Sequence, residues 1–207
     1  MSTPMEPSHH EHPLWTLTIY TENNVGLLNQ IAIIFTRRNV NIWSLSVSAS
    51  AIEGVHKFTV ACRTDHDLIQ KIVRQIEKRI DVLKAFYYRD DEIIYQEIAL
   101  YKIPTDALLN RIDFEALMRR HHARILEINS TFAVIEKTGH CDETIELFNA
   151  LNKYGVLQFV RSGRVAVTKS LVERVSNFLE EQEIRRLRDE QRTLSPAAPD
   201  GEDALRP

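Results

Sequence analysis

TLTIYTENNVGLLNQIAIIFTRRNVNIWSLSVS, residues 16–48, is the stretch whose reading decides the fold. It divides into a strand, a tight polar loop, an amphipathic helix and a second strand. Trp15, Leu17 and Ile19 alternate with Thr16, Thr18 and Tyr20, the period-2 pattern of a half-buried strand. Glu22-Asn23-Asn24-Val25-Gly26 then feeds a helix whose apolar positions Leu27, Leu28, Ile31, Ile34 and Phe35 recur at helical spacing. Arg37 and Arg38 close its last turn, where cations suit the helix dipole, with Asn23 or Asn24 as the candidate N-cap. Alternation resumes with Trp43, Leu45 and Val47 against Ser44, Ser46 and Ser48. The first helical turn is the candidate site, because its backbone N–H groups lack helical acceptors and the dipole favours an anion. Gly26 keeps a side chain from blocking close approach to it.

Outward from this stretch, residues 49–54 make a hairpin turn and residues 55–62 a returning strand. Residues 65–79 form a second amphipathic helix with Asp65 and Asp67 in its first turn, and residues 80–88 a fourth strand. The order is βαββαβ, the ferredoxin-like arrangement with two helices on one face of an antiparallel sheet. Thr18, Tyr20, Ser44 and Ser46 on the other face imply partial exposure there. After the charged linker Arg89-Asp90-Asp91-Glu92 the pattern repeats. A strand over 95–103 leads to a helix that starts at Pro104-Thr105-Asp106 and carries Leu108, Leu109, Ile112, Leu117 and Met118. A hairpin over 124–136, a helix from Asp142 to Leu151, and strands over 154–160 and 164–168 around a Ser162-Gly163 turn complete it. Two tandem ferredoxin-like units are therefore expected, an α+β chain divided into residues 14–90 and 91–170. Residues 171–192 read as a charged helix with opposite-charge i,i+4 pairs such as Glu181 and Arg185. Residues 1–13 and 193–207 read as disordered tails.

A length of 207 residues suits two such units, each of roughly 75–80 residues, plus tails. The net charge of −3 provides no field that would select nucleic acid or anionic lipid. No apolar run approaches the roughly 18 residues needed to span a membrane, and no apolar leader opens the chain. With Cys62 and Cys141 as the only cysteines, a reducing, cytoplasmic location is expected. The six glycines fall at turns, element boundaries and the tail, which leaves none for a nucleotide-binding glycine loop. His9, His10 and His12 sit in the N-terminal tail, while His121, His122, His140 and Cys141 match no zinc spacing. Glu97 with Asp106, or Glu127 with Glu136, need no catalytic explanation on strands and helix starts. Nothing assembles into an active site, and this points to regulation rather than catalysis.

The residues that carry this reading also carry a resemblance. Glu22, Asn23, Gly26, Leu28, Phe35, Arg38, Asn41, Ile42, Ser44, Leu45 and Val47 resemble the opening of an ACT domain, a small-molecule sensor module. More narrowly, they resemble the small regulatory subunit family of acetolactate synthase. Ile80-Asp81-Val82-Leu83 and Arg161-Ser162-Gly163 add to the likeness, which runs from about Leu14 to about Ser170. It implies a homodimer that activates a large catalytic subunit and confers feedback inhibition by a branched-chain amino acid, with valine the expected effector. Thiamine diphosphate, Mg²⁺ and FAD are expected on that partner, and no cofactor or metal in this chain. The family's ligand residues carry over to Asn23, Gly26, Leu27 and Leu28, completed by Asn41 and Ile42 of the other protomer. Trp43 stands where an acidic residue is common, and Asn39 where glycine is, both beside the expected site. The alternative is a stand-alone amino-acid sensor that controls another enzyme or a transcription factor. That protein would need the first unit but not the second.

Overall fold

The computed structural model describes residues 12–108 and 113–171, with Asn177, Phe178 and Glu180 beyond them. The expected helix over 171–192 and both tails fall almost wholly outside these residues. The first unit runs β1 (Leu14–Glu22), α1 (Leu27–Thr36), β2 (Ile42–Ala49), β3 (Val55–Arg63), α2 (His66–Ile76) and β4 (Val82–Tyr88). Its sheet is antiparallel in the order β2-β3-β1-β4. Trp15, Leu17 and Ile19 of β1 pack with Leu27, Ile31, Ile34 and Phe35 of α1 and with Ile69, Ile72, Val73 and Ile76 of α2. Asp65 caps α2 by accepting the Leu68 N–H at 2.7 Å. Cys62 lies in this core, where burial pushes its thiol up to about 12.

The second unit repeats the order: β5 (Ile93–Pro104), α3 (Asp113–Arg120), β6 (Arg124–Ile128), β7 (Phe132–Gly139), α4 (Cys141–Leu151) and β8 (Gln158–Arg161). Its strands lie β6-β7-β5-β8, the same topology, over a core of Tyr101, Ile103, Ile135, Leu147 and Leu151. The chain is thus two tandem ferredoxin-like units, as the sequence implies. Where a helix is expected from Pro104, Thr105–Ala107 is a short 3₁₀ turn, and α3 is described over Asp113–Arg120. Leu109 and Ile112, assigned to that helix, lie outside the described residues. Tyr154, expected in a strand, closes the 3₁₀ turn Asn152–Tyr154.

One expectation is overturned and a second holds only in part, for one reason. Ser162-Gly163, expected as a turn between two strands, does not reverse the chain. β9 (Val165–Thr168) continues in the direction of β8, and both pair antiparallel with the one long strand β5: Ala99–Lys102 with β8, Ile93–Gln96 with β9. Ser162 bridges the gap, its N–H donating to the Ile98 carbonyl at 2.8 Å and its hydroxyl accepting the Ile98 N–H at 2.9 Å. The ribbon of β9 and the first half of β5 lies over the outer face of the first sheet. Ile93 and Ala166 pack with Tyr88, Phe86 and Tyr95, and Lys57 Nζ donates to the Ala166 carbonyl at 2.9 Å. Thr18 and Tyr20, read as partly exposed, are therefore 6% and 8% exposed, while Ser44 and Ser46 are half-buried as read. The Ser44 hydroxyl is buried with no hydrogen bond among the described residues. Gly163 passes so close to β2 that a Cβ there would sit 3.0 Å from the Leu45 carbonyl oxygen.

Arg164 pins this ribbon down. Only 3% exposed, it donates from one guanidinium nitrogen to Thr16 Oγ1 at 3.1 Å and to Asp90 Oδ1 at 2.8 Å, and its guanidinium stacks 3.8 Å over the Tyr95 ring. Glu97, 1% exposed, stands 3.6 Å from Arg164 Nε and 3.2 Å from Arg161 Nε. These are ion pairs without hydrogen-bond geometry, since neither Glu97 oxygen nor Arg164 Nε has a hydrogen bond among the described residues. A buried pair of this kind contributes little net stability but is expensive to break, because the survivor is left charged in low dielectric. Arg164→Met is therefore expected to lower the free energy of unfolding by about 3–5 kcal/mol. Arg164→Met with Glu97→Gln recovers part of that loss. Urea denaturation of the two variants and the parent checks both.

Candidate functional site

The loop between β1 and α1 is held at its base by the turn before β4. Glu22 donates its N–H to the Asp81 carbonyl at 3.0 Å. The Asn24 amide donates to Asp81 Oδ1 at 2.7 Å and to Glu22 Oε2 at 3.3 Å. Asn24 is thereby a clamp within the loop and not the helix cap. The N-cap is Gly26, at φ +86°, with no side-chain cap hydrogen bond. A Cβ at Gly26 would meet nothing within 4 Å, so the backbone angle and not crowding requires glycine here.

Gly26 accepts the first helical hydrogen bond from the Gln30 N–H at 3.2 Å, and the Leu27 N–H reaches the Asn24 carbonyl at 3.4 Å. Among the described residues the N–H groups of Leu28 and Asn29 have no such acceptor. The Leu27 N–H is thus occupied, and the open donors of the turn include those of Leu28 and Asn29. Leu27 itself is 2% exposed and belongs to the core, whereas Asn23, Val25 and Leu28 stand exposed around the turn. A carboxylate facing these donors and an aliphatic group against Val25 and Leu28 is the chemistry the turn accommodates.

Asn41 and Ile42 do not approach this turn within one chain. Ile42 pairs with Cys62, which pairs with Trp15 near the start of β1, while the loop follows Glu22 at its far end. Over nine residues of β1 that separation is on the order of 25 Å. Asn39 ends the α1 turn at φ +53°, the left-handed conformation in which asparagine replaces glycine at modest cost. Trp43 does not border the loop of its own chain. Its ring lies 5.8 Å from the Arg63 guanidinium, at the edge of a cleft between the two units. Among the described residues no group of three or more His, Cys, Asp or Glu side chains is placed to hold an ion. No helix among them is long and apolar enough to cross a membrane.

Sequence reasoning missed the role of Asp81 in fixing the loop. Asp81 was visible only as part of Ile80-Asp81-Val82-Leu83, whose spacing of 57 residues from Asn24 gives no local signal. Glu97 and Arg164 were missed because a single charge in an alternating strand reads as exposed.

Residues 17–84 match the family described as an AHAS small subunit-like ACT domain, and residues 96–170 match the family described as the small subunit of acetolactate synthase. The chain is 28% identical over 157 residues to the acetolactate synthase small subunit of Mycobacterium leprae, covering 76% of this chain and 92% of that one. It is 26% identical over 162 residues to the Bacillus subtilis acetolactate synthase small subunit, covering 78% and 94%. The crystal structure of the acetolactate synthase small subunit from Thermotoga maritima superposes with a TM-score of 0.69 at 24% identity, over 77% of this chain and 99% of that one, which speaks for the fold.

Two left-handed residues bracket α1, and they respond differently to substitution. Gly26→Ala fits the space but is expected to cost about 1 kcal/mol of backbone strain, lowering Tm by about 2–4 °C. Asn39→Gly is expected to leave Tm unchanged or raise it slightly. Thermal melts of both variants distinguish the two positions.

Proposed function

The chain belongs to the acetolactate synthase small-subunit family, and from that premise we propose that it activates a large thiamine-diphosphate-dependent catalytic subunit and makes it sensitive to valine. Membership makes it the non-catalytic, regulatory member of a transferase holoenzyme. The match through residues 96–170 favours this over a stand-alone sensor, which would need only the first unit. Thiamine diphosphate, Mg²⁺ and FAD are expected on the large subunit, and the assembly works in the cytoplasm.

The observation that carries the effector reading is the uncapped first turn of α1, with the Leu28 and Asn29 donors beside exposed Val25 and Leu28. A valine zwitterion presents its carboxylate to those donors, its side chain to the aliphatic rim and its ammonium group to amide or main-chain oxygens near Asn23 and Asn41. Asn41 and Ile42 join from a second copy. β2 is an edge strand, and its end at Ala49 lies at the same end of the sheet as the loop. An antiparallel β2–β2 pairing about a two-fold axis brings the partner's start of β2 to that end. It also protects an otherwise open edge. On the second sheet, Ile94, Ile98, Leu100, Val160, Val165 and Val167 form an exposed apolar face by register, a further reason to expect association. Feedback then follows by linkage: valine binds one arrangement of the dimer better, and the catalytic subunit responds to that arrangement.

Two measurements test this reading. Sedimentation is expected to show a dimer of the 24.0 kDa chain at micromolar concentration, and a strict monomer removes the shared site. In a reconstituted synthase assay, Asn23→Ala is expected to weaken valine inhibition several-fold, the loss of about 1 kcal/mol for a neutral polar contact. Gly26→Asp, which sets a carboxylate against the ligand carboxylate, weakens it further, while both variants still activate the partner. If both remain as sensitive as the parent chain, valine binds elsewhere.

A further inference from the structure

Between the two units lies an open cleft of about 850 Å³, far from the Gly26 loop and unused by the function proposed above. Its size falls within the roughly 300–1,000 Å³ of small-molecule sites. One wall comes from the first unit and the linker and carries Trp43, Arg63 and Arg89. The guanidiniums of Arg63 and Arg89 lie over the rings of Trp43 and Trp15, at 5.8 Å and 5.9 Å from the centroids, which holds both cations against a rigid surface. The other wall is one face of α4, where Asp142, Glu146 and Asn149 recur at helical spacing. The floor is the buried Arg164 guanidinium and the Tyr95 ring.

The linker also brings Asp90 and Asp91 to the cleft, but Asp90 is paired with Arg164 and Asp91 stands 3.9 Å from Arg89. Among the described residues the arginines of the first wall make no ion pair with Asp142 or Glu146 of the other, and Arg63, Asp142 and Glu146 take part in none at all. Opposite charges left apart across an open gap of this size match a molecule that carries both signs. The Arg164 guanidinium of the floor is already matched by Asp90 and Glu97, so the open charges are those of the walls.

We propose that this cleft is a second small-molecule site, and that it takes an amino-acid zwitterion with its carboxylate on the Arg63–Arg89 wall and its ammonium group on Asp142 and Glu146. Trp43 and Ile145 border the space left for the side chain. The ligand bridges the two units, so its binding favours one spacing between them. The site is independent of the Gly26 loop and does not rest on the valine reading given there.

The cleft holds its own reporter. Cys141 lines it at the first residue of α4, with its Sγ 2.8 Å from an Arg161 guanidinium nitrogen, whereas Cys62 is 0% exposed and serves as the unreactive control. The full-length chain is treated with iodoacetamide, alone and with each of the protein amino acids in turn, and alkylation of each cysteine is followed by peptide mass. At least one amino acid is expected to slow alkylation of Cys141 by about tenfold when present at about ten times its Kd. The protection is expected to persist in Gly26→Asp and to disappear in Arg63→Met combined with Glu146→Gln, each judged against its own unprotected rate. Three outcomes overturn the proposal: no amino acid protects Cys141; protection survives the double substitution; or protection is lost in Gly26→Asp, which means that occupancy of the first loop was being read at a distance.

Discussion

The carboxylate of Glu97, buried between the guanidiniums of Arg161 and Arg164, is the constraint on which the rest of the structure leans. A carboxylate in that position requires cations, and both come from the strip that runs from β8 into β9. Arg164 then reaches back to Thr16 in the middle of the first sheet and to Asp90 in the linker. Arg161 reaches forward to Cys141 at the start of α4. One charge thus specifies the position of the first sheet, the linker, the second sheet and a helix. Such a cluster adds little to net stability and much to uniqueness, because any other seating of the ribbon leaves a charge buried and unpaired.

The Arg161-Ser162-Gly163 motif acquires a physical reading from this arrangement. Arg161 serves the ion cluster, Ser162 replaces the backbone pairing that is lost where β8 gives way to β9, and Gly163 allows the strand to touch the Leu45 backbone. Three small demands fall on three consecutive residues because the ribbon must leave its own sheet and land on another within that distance.

The order of strands shapes the functional reading in the same way. In β2-β3-β1-β4 the helix turn that offers open donors and the strand start that would complete a ligand site lie at opposite ends of the sheet. In the function we propose, a second copy supplies the missing half, which ties sensing to association. The interdomain cleft has a different logic. Its two walls belong to one chain, so a ligand there acts on the spacing of the units within a protomer.

The strand periods, both helices of the first unit, the repeat of the βαββαβ pattern and the Gly26 turn were legible in the sequence, because each rests on contacts between residues close along the chain. The identity of the N-cap was less so: Asn23 and Asn24 have the right chemistry, but Asn24 is claimed by Asp81, a partner distant in sequence. The covering of Thr16, Thr18 and Tyr20 was not legible at all. Alternation of polar and apolar residues reports which face of a strand meets the helices, and it is silent on whether the other face meets water or another part of the chain. That choice was made by tertiary structure, where β5 is long enough to serve two sheets at once. There Glu97 and Arg164, unremarkable as single charges, find one another and fix how the chain closes on itself.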